Sequence, residues 1–168
     1  MSRGLTGLDN RQGVESKVQW RIAAQQRFCV AMLDLNGFKE VNDLYGHEAG
    51  DDLPRQFSSE LRSTSRIADV VGRWGGDEFI VVLGGTLADA QARMQRIQEW
   101  VLGSYTVENL PDESRIDMTA AVGLAEWHPG ETFNELVARA DALMYQEKKR
   151  LTQERKNPTT PAALAPLP

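Results

Sequence analysis

The chain has 168 residues, 41% hydrophobic and 26% charged, with a formal net charge of −5. That length suits one domain with a proper core, and the acidic balance excludes non-specific binding to a nucleic-acid polymer, which needs a basic face. A polyphosphate remains possible, because metal ions can bridge like charges. The single cysteine, Cys29, sits in an apolar run, reads as a small buried hydrophobe and excludes a disulfide framework within the chain. The opening residues carry no apolar signal region and no segment is long enough to span a bilayer, so a cytoplasmic domain without membrane contact is expected.

Leu5-Thr6-Gly7-Leu8-Asp9-Asn10-Arg11 holds the Gly, Asp and Asn of a turn and reads as an N-terminal loop. From about Val14 to Gln26 there is no Pro, and Val18 and Ile22 repeat at helical spacing, which predicts an amphipathic helix. Phe28 to Leu35 is a continuous apolar run of the length and content of a strand buried on both faces. The chain leaves it through Asp34-Leu35-Asn36-Gly37-Phe38-Lys39. An Asp at a strand end is commonly a turn residue or a helix cap. It is also the kind of group that holds Mg²⁺, which takes one or two carboxylates plus substrate phosphates.

Val41 to Asp51 is rich in turn formers, and His47 within it reads as structural. A helix follows to about Ser63, with Leu53, Phe57 and Leu61 on one face and Pro54 acceptable only in the first turn. Arg66-Ile67-Ala68-Asp69 reads, by spacing alone, as a surface ion pair. Two apolar runs, around Val70-Val71 and Phe79 to Leu83, then flank Gly75-Gly76. They predict a hairpin with a tight two-residue turn, in which Gly supplies the positive φ. Asp77 and Glu78 follow directly, either as a solvated tip or as carboxylates beside a turn whose missing side chains admit a ligand.

Thr86 caps a predicted helix with Leu87, Ala90, Met94, Ile97 and Val101 on its core face, and Arg93 and Arg96 elsewhere. Ser104 to Val107 reads as a short edge strand, Asn109 to Ser114 as a loop, and Met118 to Trp127 as another strand. Thr132-Phe133-Asn134-Glu135 resembles a capping box. Its helix carries Phe133, Leu136, Val137, Ala140 and Met144 inward. The predicted domain covers 1–156, and the Pro- and Ala-rich stretch 157–168 is expected to be a disordered tail.

Several of these stretches together resemble one family. Gly75-Gly76-Asp77-Glu78-Phe79 is similar to the signature of GGDEF domains, the diguanylate cyclases. Leu-Thr-Gly-Leu with Asn10-Arg11 resembles the family's opening motif, although Arg3 stands where the family usually has Asp. Asn42-Asp43-x-x-Gly46-His47-x-x-Gly50-Asp51 and the helix from Arg139 to Lys148 match too, in the same order. The resemblance runs from about Leu5 to Lys148.

It implies an α+β fold, a sandwich with a central, mostly antiparallel five-stranded sheet flanked by helices, akin to nucleotide cyclases and the polymerase palm. It implies condensation of two GTP molecules into cyclic di-GMP with release of pyrophosphate across a homodimer, each domain holding one GTP. Asp34, Asp77 and the Leu35 carbonyl would hold Mg²⁺ or Mn²⁺. Glu78 would help deprotonate the attacking hydroxyl or support a metal. Lys39 and Lys148 would neutralise phosphates, with Phe38, Gly75 and Gly76 near the triphosphate. Asn42 and Asp51 would read guanine; a carboxylate accepts from its N1–H and amine, whereas adenine would leave that carboxylate unpaired. Asp51 also suits a helix cap. Arg66 and Asp69, with Arg96, match a site where the product acts as inhibitor.

Two departures bear on turnover: Pro54 where the family commonly has Leu, and Leu151 and Thr152 where it usually has Gly and Arg. They keep two alternatives in view, a catalytically silent domain that binds cyclic di-GMP or GTP as a receptor, and a mononucleotide cyclase. The intact Gly-Gly-Asp-Glu-Phe weighs against the first, and the guanine readers with the product site weigh against the second. The sequence names no input signal.

Overall fold

The computed structural model of the chain describes residues 8–36, 47–66, 68–101, 104–106, 115–117 and 119–156. In chain order the elements are α1 (Arg11–Ala23), β1 (Phe28–Asn36), α2 (His47–Thr64), β2 (Val70–Arg73), β3 (Glu78–Gly84), α3 (Leu87–Val101), β4 (Ser104–Thr106), β5 (Arg115–Asp117), β6 (Thr119–Glu126) and α4 (Phe133–Lys156). The main sheet is antiparallel throughout, in the order β2-β3-β1-β6.

β1 lies inside that sheet and is buried on both faces, as its unbroken apolar run requires. Alternation sorts its side chains. Cys29, Ala31, Leu33 and Leu35 pack with Phe57 and Leu61 of α2 and with Ala90, Met94 and Ile97 of α3. Phe28, Val30 and Met32 pack with Val14 and Val18 of α1 and with Leu136, Ala140 and Met144 of α4. The result is a three-layer sandwich, with one helix pair on each face of the sheet. Asp34 shares the parity of Met32 and so belongs to the α1–α4 face.

Local signals start the helices. Asn10 Oδ1 accepts from the Gly13 N–H at 2.8 Å and caps α1. Thr86 Oγ1 accepts from the Asp89 N–H at 3.2 Å while Asp89 accepts from the Thr86 N–H at 3.3 Å. Thr132 and Glu135 form the same reciprocal box at 3.1 and 2.9 Å.

One glycine sets how closely α4 lies on the sheet. A Cβ on Gly123 would fall 2.0 Å from the Ala140 carbonyl oxygen and 2.3 Å from the Met144 nitrogen. Only a residue without a side chain lets that helix down onto β6.

Three expectations change. The main sheet has four strands among the described residues rather than five, because Ser104–Thr106 pairs with Arg115–Asp117 in a separate two-stranded sheet. The helix expected after Asp51 already begins at His47, so Pro54 lies beyond its first turn; the polar residues read as turn formers there are also compatible with helix. The hairpin is closed by four residues, Trp74–Asp77, instead of two. The positive-φ glycines among the described residues are Gly85 and Gly130, so Gly75 and Gly76 do not serve turn strain. Residues 157–168 lie outside the described residues. Among those described, no helix is long and apolar enough to cross a membrane.

Candidate active site

The antiparallel pairing of β1 with β3 places Asp34 directly opposite Glu78. In such a pair the two side chains share a face. One step on, the Leu35 N–H donates to the Asp77 carbonyl at 2.9 Å, which fixes the hairpin tip against the end of β1. Within the tip, the Trp74 and Gly75 N–H groups donate to the Glu78 carbonyl at 2.7 and 3.2 Å. The Arg73 guanidinium reaches round to the carbonyls of Gly75 at 3.2 Å and Gly76 at 2.6 Å. Asp34, Leu35, Asp77 and Glu78, more than forty positions apart in the sequence, are thereby gathered at one end of the sheet.

From the other side α4 brings Lys148, whose Nζ donates to Asp34 Oδ2 at 2.7 Å. Lys148 lies one helical turn beyond Met144, where Gly123 lets the helix approach. Asp34 Oδ1 is buried and has no hydrogen-bond partner among the described residues.

The electrostatics agree with crowded acids. Burial, then the Asp34 charge, pushes the Asp77 carboxyl above the usual range. Burial, then Asp34, Asp141 and Asp77, does the same to Glu78. The hydrogen bond to Asp34, more than any other cause, raises Lys148. Among the described residues no three His, Cys, Asp or Glu side chains form a ready metal cluster. A two-carboxylate site completed by a backbone carbonyl and by phosphate is nevertheless the usual way to hold Mg²⁺, and a buried carboxylate oxygen without a partner is the acceptor such an ion satisfies. The donor set fits a divalent cation.

Among the described residues nothing lies within 4 Å of a Cβ placed on Gly76, and a Cβ on Gly75 would make only ordinary contacts with Glu78 at 3.6 Å and beyond. Neither glycine is demanded by the protein's own packing. Lys39, Phe38 and Asn42 lie outside the described residues, and Asp51 falls within α2 where only the backbone is described.

The Arg66–Asp69 turn lies away from this tip. The Arg66 N–H donates to Asp69 Oδ2 at 2.8 Å, and Arg62 bonds the Arg66 and Asp69 carbonyls at 2.8 and 3.2 Å. Asp69 is not a surface residue. It is buried and gripped by both terminal nitrogens of Arg93, Nη1 to Oδ1 at 3.0 Å and Nη2 to Oδ2. A cleft of about 260 Å³ opens beside it, lined by Thr64, Arg66, Arg93, Arg96 and Ile97.

The structure places Arg66 and Arg96 along one cleft and corrects two points. Asp69 points its carboxylate at Arg93, so its oxygens are already engaged. Arg93 belongs to the cleft, which the sequence reading missed. The i, i+3 spacing of Arg93 and Arg96 on α3, which puts both on one side of a helix, was the available signal.

The profile of the family described as diguanylate cyclase, GGDEF domain, matches residues 4–154. Among curated relatives, the chain is 34% identical over 150 residues to the bifunctional diguanylate cyclase/cyclic di-GMP phosphodiesterase MucR of Pseudomonas aeruginosa, covering 86% of this chain and 21% of that protein. It is 34% identical over 151 residues to the diguanylate cyclase DgcP of Escherichia coli, covering 86% and 43%. It is 35% identical over 151 residues to the response regulator PleD of Caulobacter vibrioides, covering 86% and 33%. The chain therefore spans less than half the length of these relatives.

Among solved structures, the fold superposes with a TM-score of 0.79 on the diguanylate cyclase SiaD of Pseudomonas aeruginosa, solved with its activator SiaC, at 34% identity over 89% of this chain and 58% of that one. It does so equally, at 26% identity, on the GGDEF domain of DgcB from Caulobacter crescentus in complex with cyclic di-GMP, over 89% and 88%. The chain belongs to the GGDEF, or diguanylate cyclase, domain family.

Proposed function

We propose that this domain condenses two GTP molecules into cyclic di-GMP, the 3′-oxygen of each attacking the α-phosphate of the other with loss of pyrophosphate. The observation that carries the reading is the buried, half-satisfied carboxylate of Asp34 facing Glu78 and adjoining Asp77. Asp34, Asp77 and the Leu35 carbonyl would hold Mg²⁺ or Mn²⁺, and the bound ion supplies charge stabilisation on the phosphates. The protein's own part is positioning. Lys148 offers its ammonium to the triphosphate, with Lys39 as a second cation. Glu78, whose raised carboxyl is the stronger base for it, accepts the proton of the attacking hydroxyl. Gly76 leaves open room for the phosphates to lie against the backbone. Asn42 and Asp51 read guanine.

One domain holds one substrate, so the reaction needs two domains facing each other, and the rate per domain rises with protein concentration. Incubation with GTP and Mg²⁺, followed by identification of the product, tests the reading. Cyclic di-GMP and pyrophosphate are expected, and tight GTP or cyclic di-GMP binding without turnover would favour the receptor alternative. One observation leans that way: the Thr152 hydroxyl donates to the Lys148 carbonyl at 2.9 Å and adds no cation to the site.

The cleft beside Asp69 supports product inhibition. Arg66 and Arg96 present two-pronged donors suited to guanine acceptor edges and phosphate, beside an Arg93 whose fork is held by Asp69. Arg66 is exposed, so Arg66→Ala should raise the product concentration needed for inhibition, read from initial rates, without changing the melting temperature.

A further inference from the structure

We propose that Arg11 is a positioning residue for the reacting acids, tying the hairpin tip to the start of α1; this rests on the reading of Asp77 and Glu78 given under Proposed function. The tip Trp74–Asp77 carries Asp77 and leads directly into Glu78 at the start of β3, and its internal bonds come from its own hairpin: Trp74 and Gly75 to the Glu78 carbonyl, and Arg73 to Gly75 and Gly76. Those groups travel with the tip. Arg11 comes from a different element. Its Nε donates to the Trp74 carbonyl at 2.9 Å, and its guanidinium carbon stands 4.5 Å from the centroid of the Trp74 ring. One planar cation therefore fixes both the backbone and the side chain of the residue that opens the tip. The same ring meets Phe133, the first residue of α4, edge-on at 6.1 Å. Through these two contacts Trp74 joins α1, the tip and the helix that carries Lys148.

The base of Arg11 is itself firmly placed. Asn10 caps the helix. Asp9 runs as a short parallel bridge beside β2, its N–H donating to the Val71 carbonyl at 3.1 Å and its carbonyl accepting from the Arg73 N–H at 3.2 Å. Gly72 makes that approach possible, since a Cβ there would fall 2.5 Å from Val14 Cγ2 and 3.1 Å from the Asp9 oxygen. The Asp9 carboxylate is held by Lys17 at 2.5 Å. Arg11 thus projects from a fixed point, and a displacement of the first turn of α1 is delivered to the tip through one side chain. The two acids are then held by different means: Glu78 by strand pairing, and Asp77 by the Leu35 N–H on its carbonyl together with a loop whose first residue Arg11 holds.

Arg11 is exposed and fills no part of the core, so its loss should be separable from unfolding. The experiment compares wild type, Arg11→Ala and Arg11→Lys in three measurements: melting temperature, hydrogen exchange of the Trp74 and Gly75 amides followed by NMR, and steady-state turnover of GTP. In Arg11→Ala the two tip amides should exchange about tenfold faster while β1 amides keep their protection, and kcat should fall about tenfold with KM for GTP little changed. Arg11→Lys, which keeps a donor but not the planar stack, should lie between. Unchanged tip protection in Arg11→Ala would overturn the proposal, whether kcat falls or not. Faster tip exchange with an unchanged kcat would overturn it as well, since tip order would then not govern turnover. If the wild-type domain made no cyclic di-GMP, the functional reading would fail by itself, and amide exchange would still decide whether Arg11 orders the tip.

Discussion

Asp34 and Asp69 are each 5% exposed, and their surroundings differ completely. Asp69 is saturated: Arg93 takes both oxygens and the Arg66 N–H takes one of them again. Asp34 has one oxygen on Lys148 and the other on no partner among the described residues. The first arrangement is a buried pair built to hold a turn in place, and the Arg93 side chain is itself only 13% exposed. The second is a buried carboxylate short of partners among the described residues, next to two more acids whose carboxyls are pushed up by burial first and then by the Asp34 charge. A fold tolerates such a shortfall where a ligand makes it good, so under-satisfaction at constant burial separates the site of chemistry from the site of architecture.

Substitution at the two positions should therefore split stability from activity, with the largest effects expected here. Asp69→Ala would strand the Arg93 guanidinium in a place where water reaches it poorly and release the Arg66–Asp69 turn, at a cost of about 3–5 kcal/mol. Asp34→Ala removes a half-satisfied buried carboxylate and its pair with a half-exposed lysine, whose net worth is about 0–1 kcal/mol. Its stability should stay close to wild type while cyclic di-GMP synthesis falls at least about a hundredfold. Urea denaturation and product assay on the same preparations check both halves. Equal destabilisation by the two variants would break the contrast.

Two glycines sharpen it at smaller scale. Gly123→Ala drives a methyl group into the backbone of α4. The helix must lift, at roughly 1–3 kcal/mol, and Lys148 must move with it, so both stability and turnover should drop. Gly76→Ala meets nothing within 4 Å and should leave urea stability within about 0.5 kcal/mol, while turnover drops because the methyl group enters the space proposed for the phosphates. A Gly76→Ala protein with wild-type activity would show that the open space there serves no ligand.

Where the determinants are local, the sequence is easy to read. The capping boxes at Thr86 and Thr132 need only a spacing of three, and β1 announces itself by an apolar run too long to alternate. The acids at the tip were legible because Asp77 and Glu78 sit beside a Gly-Gly pair and Asp34 ends a buried strand. What was not legible depends on distant partners. Arg93 finds Asp69 across 24 positions, and the helix pattern alone says only that it lies off the core face. The four-residue tip was missed because two glycines imply a tight turn, whereas here they keep ordinary backbone and leave room outside the fold. The fourth-strand limit of the main sheet follows from β4 pairing with β5, a choice between two possible neighbours that strand propensity does not encode.

The smallest expected effect concerns Glu78 itself. Its carboxyl is raised above the usual 4.5 by burial first, then by the charges of Asp34, Asp141 and Asp77, with Arg11 opposing. A raised carboxyl means that the folded state holds its proton more tightly than the unfolded chain does. The stabilisation linked to that proton is complete below the unfolded value and is lost as pH rises through the folded one. At neutral pH the ionised Glu78 is therefore a net cost to folding, the reverse of a salt-bridged acid. Glu78→Gln keeps the shape and removes the charge, so at pH 7 its melting temperature should exceed that of wild type, by a few degrees at most for a domain of this size. The gap should close as pH falls toward 4, where the wild-type carboxyl is protonated. Thermal melts of both proteins from pH 4 to pH 8, without nucleotide or added metal, give the answer. A Glu78→Gln protein that is less stable at pH 7, or a gap that does not vary with pH, would mean that Glu78 is satisfied in the folded domain, and the tip would then resemble the Asp69 turn rather than contrast with it.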